Sequence, residues 1–140
     1  FASRGSRKAS PTAASCYVGK HVAEDPDTTR SNETLGVIVI EKGSGILGGV
    51  RYSAALGPKT VAGVGNSPAY AYPTRGISNP ANAILSTATM KGANGGWPIL
   101  YGNNPVSAAG INTAVDEDTL KDSERVHGLE KLSYIVFDSQ

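Results

Sequence analysis

The sequence predicts an all-β chain folded as an antiparallel sandwich. Short apolar runs recur at spacings near ten residues, each bounded by Gly, Pro, Asn or Ser. No stretch sustains the 3.6-residue apolar period of an amphipathic helix. The 17 glycines and 8 prolines in 140 residues supply frequent turns. Seven or eight such strands in one chain point to two packed sheets.

Taken in order, "SCYVGKHVAED" places a first strand around Tyr17 to Ala23, and Val37–Ile40 places a second. Further runs are Val50–Ala55, Thr60–Val64, Ala83–Ala88, Pro98–Tyr101, Gly110–Val115 and Leu132–Phe137. "GNSPAYAYPTRGISNPAN" is rich in Pro and Asn, which suits a surface connection or sheet edge. "DEDTLKDSERVHGLEKL" has the makings of a helical turn, but Gly128 interrupts it.

Length is that of one domain with a real core. Charged residues make up 18 % and the net charge is +1, but the layout is uneven. Between Lys42 and Val115 there is no acid, while the first 20 residues carry Arg4, Arg7, Lys8 and Lys20. A basic arm and middle beside two acidic patches favour head-to-tail contact between copies. The basic residues are scattered singly and interleave with no aromatics, so nucleic acid is not an expected partner. No apolar run approaches the roughly 20 residues of a membrane span, so no insertion is expected.

The opening "FASRGSRKASPTAAS" reads as a flexible basic arm over 1–15. It starts at Phe1 without an initiator Met, as expected of a processed chain or a slice of a longer one. Cys16 is the only cysteine and is the candidate for a disulfide between chains. Asn32-Glu33-Thr34 is a glycosylation sequon, which makes Asn32 a candidate acceptor in a secreted protein.

An internal repeat organises the rest. "VAEDPDTTRSNETLGVIVIE" (22–41) parallels "VDEDTLKDSERVHGLEKLSYIVFD" (115–138). Both run Val-x-Glu-Asp, then Asp-(Thr/Ser)-x-Arg, then Glu-x-Leu, then a (Val/Tyr)-Ile-Val-(Ile/Phe) strand ending in an acid. The chain therefore divides into the arm 1–15, a partial module copy 16–41 with an extra closing strand, and a full module 42–140. That extra strand is expected either to fold onto its own sandwich or to be donated to a neighbour.

The repeat also disposes of a lure. Gly43-x-Gly45-x-x-Gly48 follows a β-branched run, as in dinucleotide-binding loops. Such loops need a helix opening at the third glycine and an acid about 20 residues on. Both are missing, so "KGSGILGG" is expected to be a joint between modules.

Other chemistry is sparse. Asp116, Glu117, Asp118, Asp122 and Glu124 gather five carboxylates, the candidate ligands for calcium, with a solvated acidic loop as the simpler expectation. Their spacing departs from the EF-hand loop, with Lys121 where that loop needs Gly. Trp97, with Tyr101 nearby, is either a sugar-stacking platform or the large plug of the core, the latter preferred. His127 is expected to hydrogen-bond within an acidic turn beside the final strand. No Gly-x-Ser-x-Gly elbow accompanies the serines, so an enzyme is not expected.

"GANGGWPILYGNNPVSAAGINTAVDEDTLKDSERVHGLEKLSYIVFD" resembles repeat modules of large secreted or surface proteins. The ending His127…Glu130…Tyr134-Ile135-Val136-Phe137 is also similar to the closing strand of H-type lectin domains. That resemblance implies a six-stranded antiparallel sandwich that trimerises and binds galactose-type sugars. An H-type-lectin-like or Ig-like sandwich is thus the expected fold. The expected role is an extracellular, non-enzymatic structural or adhesive subunit that self-assembles head to tail. A carbohydrate-binding lectin module with glycans as partners is the alternative.

Overall fold

The computed structural model describes residues 22–91 and 95–140. Eight strands form two sheets: β1 (Gly43–Leu47), β2 (Val50–Leu56), β3 (Tyr70–Tyr72), β4 (Pro80–Thr87), β5 (Gly96–Leu100), β6 (Val106–Ser107), β7 (Gly110–Glu117) and β8 (Leu132–Asp138). One sheet has the order β1-β2-β8-β4, and the other the order β3-β7-β5 with β6 also on β7. Every strand pair is antiparallel. The sheets pack face to face, and the fold is a β-sandwich.

Period-two alternation decides which side chains make the core. In β8, Leu132, Tyr134 and Val136 point inward and are essentially fully buried. They meet Ile111 and Val115 of β7, Tyr72 of β3, Ala55 of β2, Val61 and Ile77. β8 is the central strand, bonded to β2 over Tyr52–Leu56 and to β4 over Pro80–Thr87.

The large filler of this core is a tyrosine pair. Tyr72 and Tyr134 come from opposite sheets and stack with centroids 5.2 Å apart. Their hydroxyls stay satisfied: Tyr72 donates to the Pro58 carbonyl (2.7 Å) and Tyr134 to the Pro73 carbonyl (3.0 Å). Trp97 is not the plug. It lies on the outer face of β5 and is 44 % exposed. Pro98 and Leu100 take the inward phase, so the alternation of β5 turns the indole out.

Burial raises the Tyr72 phenol above its ordinary value of 10.0, against the opposing Leu132 N–H. The folded state then holds the phenolic proton more tightly than the unfolded chain. The associated stability is full below about pH 10 and is lost as pH rises beyond it. Tyr72→Phe is expected to cost about 1 kcal/mol at neutral pH through the lost Pro58 bond. It should also flatten the alkaline loss of stability, read from denaturation midpoints across pH 9 to 11.

Several expected elements shift. The stretch taken as a joint, "KGSGILGG", is instead β1 and its turn, because Gly48 (φ 57°) and Gly49 (φ 86°) both adopt the positive φ of a tight hairpin. Thr60–Val64 makes only single bridges, Val61 to Glu130 and Gly63 to Val115, before a 3-10 turn at Val64–Asn66. The Pro- and Asn-rich connection contributes β3, an edge strand as its composition implies. Residues 118–131 form no helix. The strand expected around Tyr17 lies mostly outside the described residues, and Val22–Ala23 sit in a turn closed by Asp25 N–H on the Val22 carbonyl.

The largest departure is Val37–Ile40, which belongs to no strand. Leu35, Val37, Ile38 and Val39 are exposed, Val39 by 83 %. The chain bends at Lys42 before entering β1.

Candidate functional site

The densest polar chemistry among the described residues lies between the sheets, where β7 ends. Core-facing positions of β7 alternate through Ile111, Thr113, Val115 and Glu117, so the strand's phase delivers a carboxylate into the interior. From the loop before β8 comes His127, whose Nδ1 meets Glu117 Oε1 and whose Nε2 lies 3.0 Å from Glu130 Oε1. His127 is 4 %, Glu117 5 % and Glu130 0 % exposed. Each ring nitrogen thus faces one carboxylate oxygen.

Glu130 is bonded on all sides. It accepts from Thr89 Oγ1 and from the Lys91 amide, and it lies against His127 Nε2. Thr89 Oγ1 in turn accepts the Lys131 amide (2.8 Å), so its hydroxyl is committed. Glu117 is less well served: its Oε2 is buried with no hydrogen-bond partner among the described residues.

A strap holds the histidine in place. Residues 61–66 run beside 125–130, with bonds from Gly63 N to the His127 carbonyl and from Gly65 N to the Arg125 carbonyl. Asn66 Oδ1 accepts both the Gly63 amide (3.0 Å) and the His127 amide (2.9 Å). The same strap reaches the other sheet through Val115 N on the Ala62 carbonyl. The cluster thus ties β7, the loop after β4 and the approach to β8 into one unit. Sealed from solvent, it offers no surface to a substrate.

The five candidate calcium ligands do not converge. Asp116 pairs with Arg125 (2.7 Å), and Glu117 turns inward to His127. Asp118 accepts amides of Glu24 and Leu120, Asp122 that of Glu124, and Glu124 that of Val126. Alternation on β7 sends Asp116 and Glu117 to opposite faces, and local side chain-to-backbone turns absorb the others. Among the described residues no group of three or more such side chains could hold a metal ion. Among the described residues these side chains thus sit in capped turns and ion pairs.

His127 bonds to Glu130 beside the final strand, and its second partner, Glu117, comes from the end of β7. Two signals were available: the inward phase of β7 and the His-x-x-Glu spacing. Asn32 is exposed in the irregular segment before β1. Trp97 is exposed on β5 and Tyr101, just past that strand, is half-buried. Cys16 lies outside the described residues. No helix among the described residues is long and apolar enough to cross a membrane.

The segment 22–41 has its own anchor. Glu24, 6 % exposed, donates its amide to Asp118 Oδ2 (3.3 Å) and accepts the Lys121 amide (2.8 Å). Beyond it, Asp25 is paired with Arg30 (2.7 Å). The Asp27 amide, and then Arg30, hold the Asp25 carboxyl below its ordinary value. The segment is thus pinned at Glu24 and at β1, with exposed chain between.

No protein-family model, curated protein or solved structure matches this chain.

Proposed function

We propose that the protein is a non-enzymatic, extracellular structural or adhesive subunit of a head-to-tail array of like sandwiches. The observation that carries this reading is a second copy of the closing-strand sequence, Leu35–Glu41, lying mostly exposed beside a sandwich whose β8 is in place. An exposed run of three consecutive apolar residues, Val37–Val39, is a liability in a free protein. It has a purpose where a neighbour covers it. The split of charge along the chain supports an ordered, polar contact between units. A heterologous contact of this kind builds a filament or surface array where the rotation between units does not close into a ring.

Electron microscopy of native material tests the reading. Rows of units spaced by about one sandwich are expected, and a chain lacking residues 1–41 should not enter them. Discrete particles, or normal incorporation of the shortened chain, contradict it.

The second reading, a carbohydrate-binding module, draws on Trp97, which stands exposed on β5 where it can stack on a sugar ring. It expects glycan-array hits that Trp97→Ala weakens by tenfold or more. An array without hits counts against it.

A further inference from the structure

We infer that Trp97, Asp116 and Arg125 form a binding site for a neutral pyranose sugar, whose ring stacks on the indole while neighbouring hydroxyls bond to the ion pair. This rests on the carbohydrate-binding reading above and gives it a ligand class and a polar half. Trp97 is the register partner of Asp116 across β5 and β7. Both take the phase opposite to the inward Val115 and Glu117, so they stand side by side on the outer face of their sheet. Directly opposed residues of an antiparallel pair have Cβ atoms about 5 Å apart, close enough for one small ligand to touch both.

Arg125 fixes the carboxylate beside the indole. Asp116 Oδ1 accepts from Arg125 Nε and Nη2, both at 2.7 Å, and from the Glu117 amide at 3.0 Å. All three bonds fall on one oxygen, so among the described residues Oδ2 keeps its acceptor capacity. The Arg125 side chain is 42 % exposed, and its guanidinium has N–H donors beyond the two spent on Asp116. An acceptor and donors thus lie next to an exposed aromatic ring. A pyranose presents the complement: an apolar C–H face, and a rim of hydroxyls that each donate and accept.

Charge and size narrow the occupant. The ion pair sums to zero, the carboxylate opposes an acidic ligand, and the guanidinium opposes a cationic one. Around the indole little apolar surface is left: Gly95 and Gly96 precede it, Ala114 is fully buried, and Ile99 is half-buried. A stable protein interface needs about 800 Å² from each partner, far more than one half-exposed indole offers. The platform is also rigid before any ligand arrives. β5 pairs with β7 at five positions, and at Gly96 an added Cβ would lie 2.9 Å from Val115 Cγ1. Little ordering cost is then left for binding.

Trp97 is the only tryptophan, so its fluorescence reads this site alone. The full chain is titrated with the methyl glycosides of glucose, galactose and mannose, and with those of glucuronic acid and glucosamine as charged controls. A saturable emission change is expected with at least one neutral glycoside, half-complete at about millimolar concentration, and none with the charged pair. Asp116→Ala and Arg125→Ala should each weaken it by about tenfold or more through the lost charged hydrogen bonds. Their thermal midpoints should stay near the parent's, because a partly exposed ion pair adds little stability. No response to any neutral glycoside, a response confined to a charged one, or one indifferent to both variants overturns the inference. Glycan-array hits lost on Trp97→Ala alongside such a failure would leave the sugar reading standing with a different ligand or polar contact, whereas an array without hits overturns both.

Discussion

Replacing His127 with alanine is expected to remove about 3–5 kcal/mol of folding stability. Among the described residues, His127 is the side chain bonded to both Glu117 and Glu130, and all three are sealed between the sheets. Without it, Glu117 loses its one side-chain partner among the described residues, and its other oxygen already has none there. Glu130 keeps Thr89 and the Lys91 amide but loses the ring. Against a typical total of about 5–15 kcal/mol this is a large fraction. Urea denaturation reads it directly. Glu117→Gln is the informative companion, expected to cost only about 1–2 kcal/mol, since it relieves one buried charge while keeping an acceptor for the ring. Equal losses from both variants would mean that charge balance is not what the cluster supplies.

Gly63→Ala is the second large effect, at about 2–4 kcal/mol. An added Cβ would fall closer than 3.0 Å to the Arg125 carbonyl and the His127 amide. Both obstacles are backbone, so no rotamer change relieves them. The strap must move off residues 125–130, taking the Asn66 bonds to His127 with it. At Gly65 the added atom would sit 3.0 Å from Arg125, at the limit of tolerance, and Gly65→Ala should cost less. A thermal midpoint for Gly63→Ala within a degree or two of the parent would contradict this account of the strap.

The sandwich was legible because β8, β7 and β2 obey strand periodicity and composition so plainly. Leu132–Phe137, Gly110–Val115 and Val50–Ala55 were each placed within two residues of their ends. Misreadings came where local sequence under-determines tertiary context. "KGSGILGG" looks like a linker because its glycines serve both an exposed strand and its hairpin. Val37–Ile40 has a strand's composition, but a strand needs a partner, and the one place that fits it is occupied by its own copy. Trp97 was assigned to the core on size alone, whereas the phase of β5 points it outward. Glu117 was hidden for the opposite reason. Set among Asp116 and Asp118 it reads as solvated, and only the phase carried over from Ile111, Thr113 and Val115 reveals it as buried. The cluster it forms with His127 and Glu130 also draws in Thr89 and Lys91, 41 and 39 residues from Glu130, which spacing alone does not assemble.

The central claim is that a neighbouring unit of the array covers Leu35–Glu41. Amide hydrogen exchange compares the isolated chain with the chain in native assembled material. In isolation the amides of 35–41 should exchange within seconds while those of β8 stay protected. In assembled material the amides of 35–41 should become as slow as those of β8. Fast exchange of 35–41 in both states would contradict the claim.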